Sequence, residues 1–101
     1  PGHGGNDTGT RNQRFRYDEK RFTLDVALRL EKLLKAQGHR VLLTRRDDRF
    51  VELEDRADFA NRAGADLFIS VHFNAVAGAP AVSGTETFIL TRPGQRSTSS
   101  L

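Results

Sequence analysis

Leu67-Phe-Ile-Ser-Val-His-Phe-Asn-Ala75 contains the most hydrophobic run in the chain, and its first five residues are apolar, β-branched or aromatic apart from one serine. A run of that length and composition reads as a central strand, buried on both faces as strands of parallel sheets are. His72 follows at its carboxyl end. In open α/β sheets ligands gather beyond the carboxyl ends of strands, so this histidine is placed where chemistry is done.

Working back from that strand, Glu52 to Ala63 reads as a helix with Leu53, Ala57 and Ala60 on one face, stopped by Gly64. Its small alanines suggest close packing on a sheet. Before it, the charged run Arg45-Arg-Asp-Asp-Arg49 reads as a solvated loop, and Arg40-Val-Leu-Leu-Thr44 as a short, largely buried strand. From Asp18 to about Gln37, Phe22, Val26, Leu30, Leu33 and Leu34 recur at three- and four-residue steps, the mark of a helix with one buried stripe. Gly38 is its expected stop. Asp18 and Glu19 sit at the helix start, where carboxylates suit the positive end of the dipole. Glu19 also falls on the apolar line, where a carboxylate is costly unless something pairs with it.

Ahead of the helix, residues 1–17 read as loop, with Arg11, Arg14 and Arg16 available to an anionic ligand or to solvent. Forward of His72, Val76 to Ser83 reads as a loop, and Gly84 to Leu90 alternates as a further strand with Glu86 on the face of Phe88 and Leu90. The order helix, strand, helix, strand, strand argues an α/β fold. A strand preceding Pro1 is expected to complete it. The Ser-rich end, Ser97 to Leu101, reads as a linker or a helix start. One domain, or part of one, fits 101 residues. The absence of cysteine excludes disulfides and thiolate metal sites, and no run approaches the roughly 20 apolar residues of a membrane span. A net charge of +3 favours acidic partners only weakly. Nucleic-acid binding would rest on charge alone and would have to survive about 0.15 M salt.

The opening, Pro1-Gly-His-Gly-Gly-Asn-Asp-Thr-Gly9, sets one histidine among four glycines. Glycines let a backbone turn tightly and leave the imidazole free of packing neighbours. His3, Glu19 and His72 together supply two imidazoles and one carboxylate, the set that catalytic zinc prefers, with a fourth position for water. Zinc is therefore the cofactor expected. The compact patterns H-E-x-x-H and G-K-[ST] are absent. Asp7 is expected to cap the glycine turn, and Asn74 to orient a ligand, bind substrate or serve the turn. Arg56 and Asn61 read as structural hydrogen-bonders, and His39 as exposed.

In unbroken order, Pro1-Gly-His-Gly-Gly5 with Asp7 and Gly9, then Glu19, then Ile69-Ser-Val-His-Phe-Asn-Ala75 resemble the zinc-dependent N-acetylmuramoyl-L-alanine amidases of the amidase-3 family. Thr44-Arg45 with Asp47 and Asp48, Leu53-Glu54 with Arg56, Ala60-Asn61-Arg62, Ala65-Asp66-Leu67 and Gly84-Thr-Glu-Thr-Phe88 add to the likeness. The resemblance runs from Pro1 to about Leu90. It implies a mixed, mostly parallel sheet flanked by helices on both faces, with His3, Glu19 and His72 as zinc ligands. The implied reaction is hydrolysis of the amide between N-acetylmuramic acid and L-alanine in peptidoglycan or a muropeptide. The family's general base is a second glutamate expected beyond Leu101; within the chain Glu86 is the candidate. The resemblance implies residence in the periplasm or cell envelope, and leaves room for an activator or regulatory segment. Residues 1–101 are expected to be part of such a catalytic domain, lacking its first strand and its C-terminal portion. The alternative is a non-catalytic module of the same fold that binds glycan or protein.

Overall fold

A computed structural model describes residues 1–12, 17–73, 84–89 and 98–100. Its elements run β1 (Arg11–Asn12), β2 (Tyr17–Asp18), α1 (Glu19–Ala36), α2 (Leu53–Arg62), β3 (Glu86–Phe88) and β4 (Thr98–Ser100). β1 pairs with β2 and β3 with β4, each as a two-stranded antiparallel sheet. No helix among the described residues is long and apolar enough to cross a membrane.

α1 begins and ends within a residue or so of where its periodicity places it, and Gly38 takes the left-handed φ of 90° that ends such helices. Its start is capped by backbone. Thr10 and Thr8 offer their carbonyls to the Glu19 and Lys20 N–H groups at 2.8 and 3.0 Å, satisfying donors every helix start leaves orphaned. The Asp18 side chain accepts from Arg11 Nε at 2.7 Å instead of capping. Arg11 is therefore committed to a carboxylate; Arg14 and Arg16 lie outside the described residues.

The buried face of α1 differs from the expected stripe. Its buried residues are Glu19, Thr23, Ala27 and Glu31, one row at four-residue spacing, while Phe22, Val26 and Leu33 are exposed. The row is buried by polar partners: Thr23 by the Pro1–His3 turn, and Glu31 by ion pairs with Arg46 and Lys35. α2 shows the same reversal. Leu53 and Ala57 are exposed and only Arg56 is buried, because its guanidinium reaches back to backbone carbonyls.

The mostly parallel sheet expected to be flanked by helices does not form among the described residues. Residues 40–44 and 67–71, both expected as strands, carry no strand hydrogen bonding. A strand exists through its ladder, and neither segment is paired in a sheet among the described residues. Both line a cavity of about 540 Å³, together with Leu30 and Leu34 of α1 and Phe59, Ala60 and Ala63 of α2, and Leu67 to Ile69 are exposed. The strand predicted over 84–90 is present as β3, shorter, and the serine-rich end supplies its partner β4 where a linker or helix start was expected. Likewise the 1–17 loop includes the small β1–β2 ladder.

Candidate metal centre

The glycine-rich opening folds as a narrow turn. Gly4 and Asp7 exchange both backbone hydrogen bonds, at 2.8 and 2.9 Å, around Gly5 and Asn6. Asp48 ties the turn to α1: it accepts from Gly5 N–H and from Lys20 Nζ, each at 2.8 Å, and these two bonds hold its carboxyl below the usual range. Gly2 donates to the Val71 carbonyl at 2.9 Å. That bond on one side of His72, and those of the Phe73 N–H to Glu19 and the Phe73 carbonyl to the Thr10 hydroxyl on the other, hold His72 alongside His3.

Two glycines are needed for close approach. A methyl at Gly2 would lie 2.3 Å from His72 Cε1, and one at Gly9, whose φ is 69°, would lie 2.5 Å from His3 Cδ2 and 2.8 Å from Glu19 Cβ. The His72, His3 and Glu19 side chains fill the space those methyls would take.

His3, Glu19 and His72 converge as the one cluster of metal-binding type among the described residues. His3 Nε2 lies 3.0 Å from Glu19 Oε1, His72 Nδ1 lies 3.3 Å from that oxygen, and the two nitrogens are 3.1 Å apart. The imidazole planes stand nearly perpendicular, at 88°. Zinc–ligand bonds of about 2.0–2.1 Å in a tetrahedron set ligand atoms about 3.3–3.4 Å apart. The observed triangle is within a few tenths of an ångström of that size.

The hydrogen bonds behind the trio fix which atoms face inward. His3 Nδ1 meets both Asp7 oxygens at 3.0 Å, and Asp7 also accepts from Gly9 N–H at 3.1 Å. The bond from His3 leads in holding the Asp7 carboxyl below its ordinary range. An ionised Asp7 accepts only, so Nδ1 is the nitrogen that donates to it, and Nε2 is the one turned toward Glu19 and His72. Burial pushes the Glu19 carboxyl up, but the N–H groups of Thr10 and Phe73, the Thr10 hydroxyl and His3 outweigh it, and the net shift is downward. Glu19 Oε2 takes the two Thr10 bonds at 2.9 Å and Oε1 takes Phe73 N–H at 2.8 Å. His3 Nε2 and Glu19 Oε1 thus stand 3.0 Å apart, a spacing that a hydrogen bond or a shared cation fits, and two imidazoles with one carboxylate are a donor set zinc accepts.

Glu19, expected on a buried line and in need of a partner, is buried and has them. Asp7 caps the turn as expected and also orients His3, a role its spacing did not suggest. Asn74 lies outside the described residues. Glu86 sits exposed on β3, apart from the trio. The solvated-loop reading of 45–49 is corrected at Arg45, which is 3% exposed. Its Nε donates to the His3 carbonyl at 2.8 Å and its Nη2 to the Gly2 carbonyl at 2.9 Å. Arg56 reaches the His3 carbonyl too, at 3.2 Å. A single arginine in a charged run gives no sign that it will be buried by a distant turn.

With that geometry in hand, the family model described as N-acetylmuramoyl-L-alanine amidase matches residues 1–101. The sporulation-specific N-acetylmuramoyl-L-alanine amidase of Bacillus subtilis is 41% identical over 91 residues, covering 88% of this chain and 33% of the relative. The N-acetylmuramoyl-L-alanine amidase AmiA of Escherichia coli is 38% identical over 97 residues, covering 96% of this chain and 33% of its own length. Among solved structures, the catalytic domain of CwlV, an amidase of the same description from Bacillus (Paenibacillus) polymyxa, superposes with a TM-score of 0.75 at 36% identity. That match covers 84% of this chain and 47% of the other. The chain spans about a third of the length of these curated relatives.

Proposed function

Because the chain belongs to the N-acetylmuramoyl-L-alanine amidase family, we propose that residues 1–101 are the metal-holding part of a peptidoglycan amidase domain. The reaction is hydrolysis of the amide between N-acetylmuramic acid and L-alanine. The observation that carries it is the triangle of His3 Nε2, Glu19 Oε1 and His72 Nδ1, with sides of 3.0, 3.1 and 3.3 Å. These atoms would hold zinc, which when bound polarises the scissile carbonyl and lowers the pKa of water.

The chain's own residues do the rest. Asp7 pairs with His3 Nδ1 and keeps Nε2 turned inward. Thr10 and Phe73 hold Glu19 by both oxygens, so the carboxylate is oriented before any ligand arrives. The base that accepts the water's proton is a carboxylate outside the trio: a glutamate beyond Leu101, or Glu86 within these residues. Asn74, two residues past His72, is assigned to substrate. In the whole domain a mixed sheet with helices on both faces would carry this site. The substrate is polymeric wall or a muropeptide, which places the protein in the cell envelope, open to control by an activator or regulatory segment.

Metal analysis of the intact protein is expected to find about one zinc per chain. His72→Ala is expected to abolish both zinc retention and release of stem peptides from sacculi. Full activity in that variant and after chelation would sink the reading. Binding to sacculi without release, by a zinc-loaded wild type, would replace it with a non-catalytic module.

A further inference from the structure

His3 is the one non-glycine among the described residues with a left-handed backbone, at φ 61°. That conformation is uncommon for a residue with a side chain, and it persists only where surroundings impose it. Here the three successive carbonyls of Pro1, Gly2 and His3 are held by two guanidinium groups. Arg45 donates from Nε to His3 O and from Nη2 to Gly2 O; Arg56 donates from Nη2 to His3 O and from Nη1 to Pro1 O at 3.4 Å. Arg45 is fixed in turn, through Nη1 to the Asp47 carbonyl at 2.9 Å and through Nη2 to the Lys20 carbonyl and the Thr23 hydroxyl. Arg56 is fixed through Nε to the Val51 carbonyl at 3.0 Å. Both arginines are buried. Bringing two buried like charges to one carbonyl oxygen is unfavourable in itself. The arrangement therefore calls for a return elsewhere.

Resting on the zinc reading above, we infer that Arg45 and Arg56 are positioning residues for the metal. Together they clamp the His3 carbonyl so that its backbone stays left-handed and its Nε2 stays on the Glu19 side. The reason for arginine is geometric. A planar fork reaches two carbonyls at once, and a lysine ammonium on the same stem is a point that reaches one. With the clamp loosened, His3 relaxes toward negative φ, and its imidazole swings away from Glu19 Oε1.

The test uses the full protein, titrated with Zn²⁺ in competition with a chromophoric chelator, and loaded with Co²⁺ for its visible absorption. Arg45→Lys and Arg56→Lys keep the charge and lose the fork. Each is expected to weaken Zn²⁺ binding about 10–100-fold, the range seen when groups behind a metal ligand are changed. Each should also alter the Co²⁺ ligand-field bands, which report ligand geometry rather than overall stability. Glu31→Ala, at a buried ion pair on α1 away from the trio, serves as the comparison for general destabilisation. It is expected to lower the melting temperature and leave Zn²⁺ affinity and the Co²⁺ bands as in wild type. Wild-type affinity and bands in both lysine variants would overturn the inference while leaving the zinc reading intact. So would an equal loss of Zn²⁺ in Glu31→Ala. A wild type that takes up no Zn²⁺ would overturn both.

Discussion

At Gly9 the backbone passes so close to His3 and Glu19 that a single methyl would strike both. Gly9→Ala therefore does two things at once: it forces a side chain into a left-handed φ, at a cost of about 1–2 kcal/mol, and it wedges His3 and Glu19 apart. The variant is expected to lose at least that much stability in urea unfolding and to bind Zn²⁺ measurably more weakly. Unchanged zinc affinity would mean that His3 and Glu19 need not touch. Residue types alone pointed to the trio only weakly, because spacings of sixteen and fifty-three residues say little by themselves; it was their place in the ordered motifs resembling the amidase-3 family that singled them out. Its support was not legible there. Asp7 reaches His3 through a turn whose shape depends on Asp48 and Lys20 far along the chain, and Arg45 is buried by carbonyls that no local pattern advertises. Asp7 and Glu19 also set an acid limit. Both carboxyls lie below their ordinary values of 3.8 and 4.5 when folded. Their contribution to stability is complete above those values and drains away as pH falls through the lower folded ones. Metal-free protein is expected to show a urea midpoint that declines as pH falls below about 5. A midpoint that rises as pH falls below about 5 would contradict both assignments.

The elements repeat the lesson at larger scale. α1 was placed to within a residue or two by its spacing, yet the row it buries is Glu19, Thr23, Ala27 and Glu31 rather than the leucine-rich one. Periodicity tells which residues share a face; only the neighbours decide which face is covered. Thr23 shows the consequence. It is fully buried, donates to the Gly2 carbonyl at 2.7 Å and receives Arg45 Nη2 at 3.1 Å. Thr23→Val keeps the shape and removes the hydroxyl, leaving part of the turn's hydrogen bonding unmade. It is expected to cost about 1–3 kcal/mol, read from the urea midpoint at constant slope. A change below about 0.5 kcal/mol, the range of surface substitutions, would show that the turn is held without it. The segments 40–44 and 67–71 fail as strands for the complementary reason: their composition is right, but a ladder is a property of pairs.

For the molecule as a whole, Ala27 is the buried hydrophobic residue among those described, while Leu53, Leu67, Phe68 and Ile69 lie open. The binding forces so far described are polar, and they gather around the Pro1–His3 turn. Residues 1–101 taken alone are expected to melt broadly, to bind a hydrophobic dye and to lack amidase activity, since unpacked apolar surface gives those signatures. A sharp, cooperative transition together with cleavage of sacculi by these residues alone would contradict that expectation. The side chains of the proposed metal site also differ in their access to solvent. The Glu19 side chain is 3% exposed and that of His72 is 35%. If the proposed ion is held among them, solvent would reach it past the second imidazole rather than past the carboxylate. Under that proposal, small chelating acids should act first as competitors of the substrate and only afterwards as thieves of the metal.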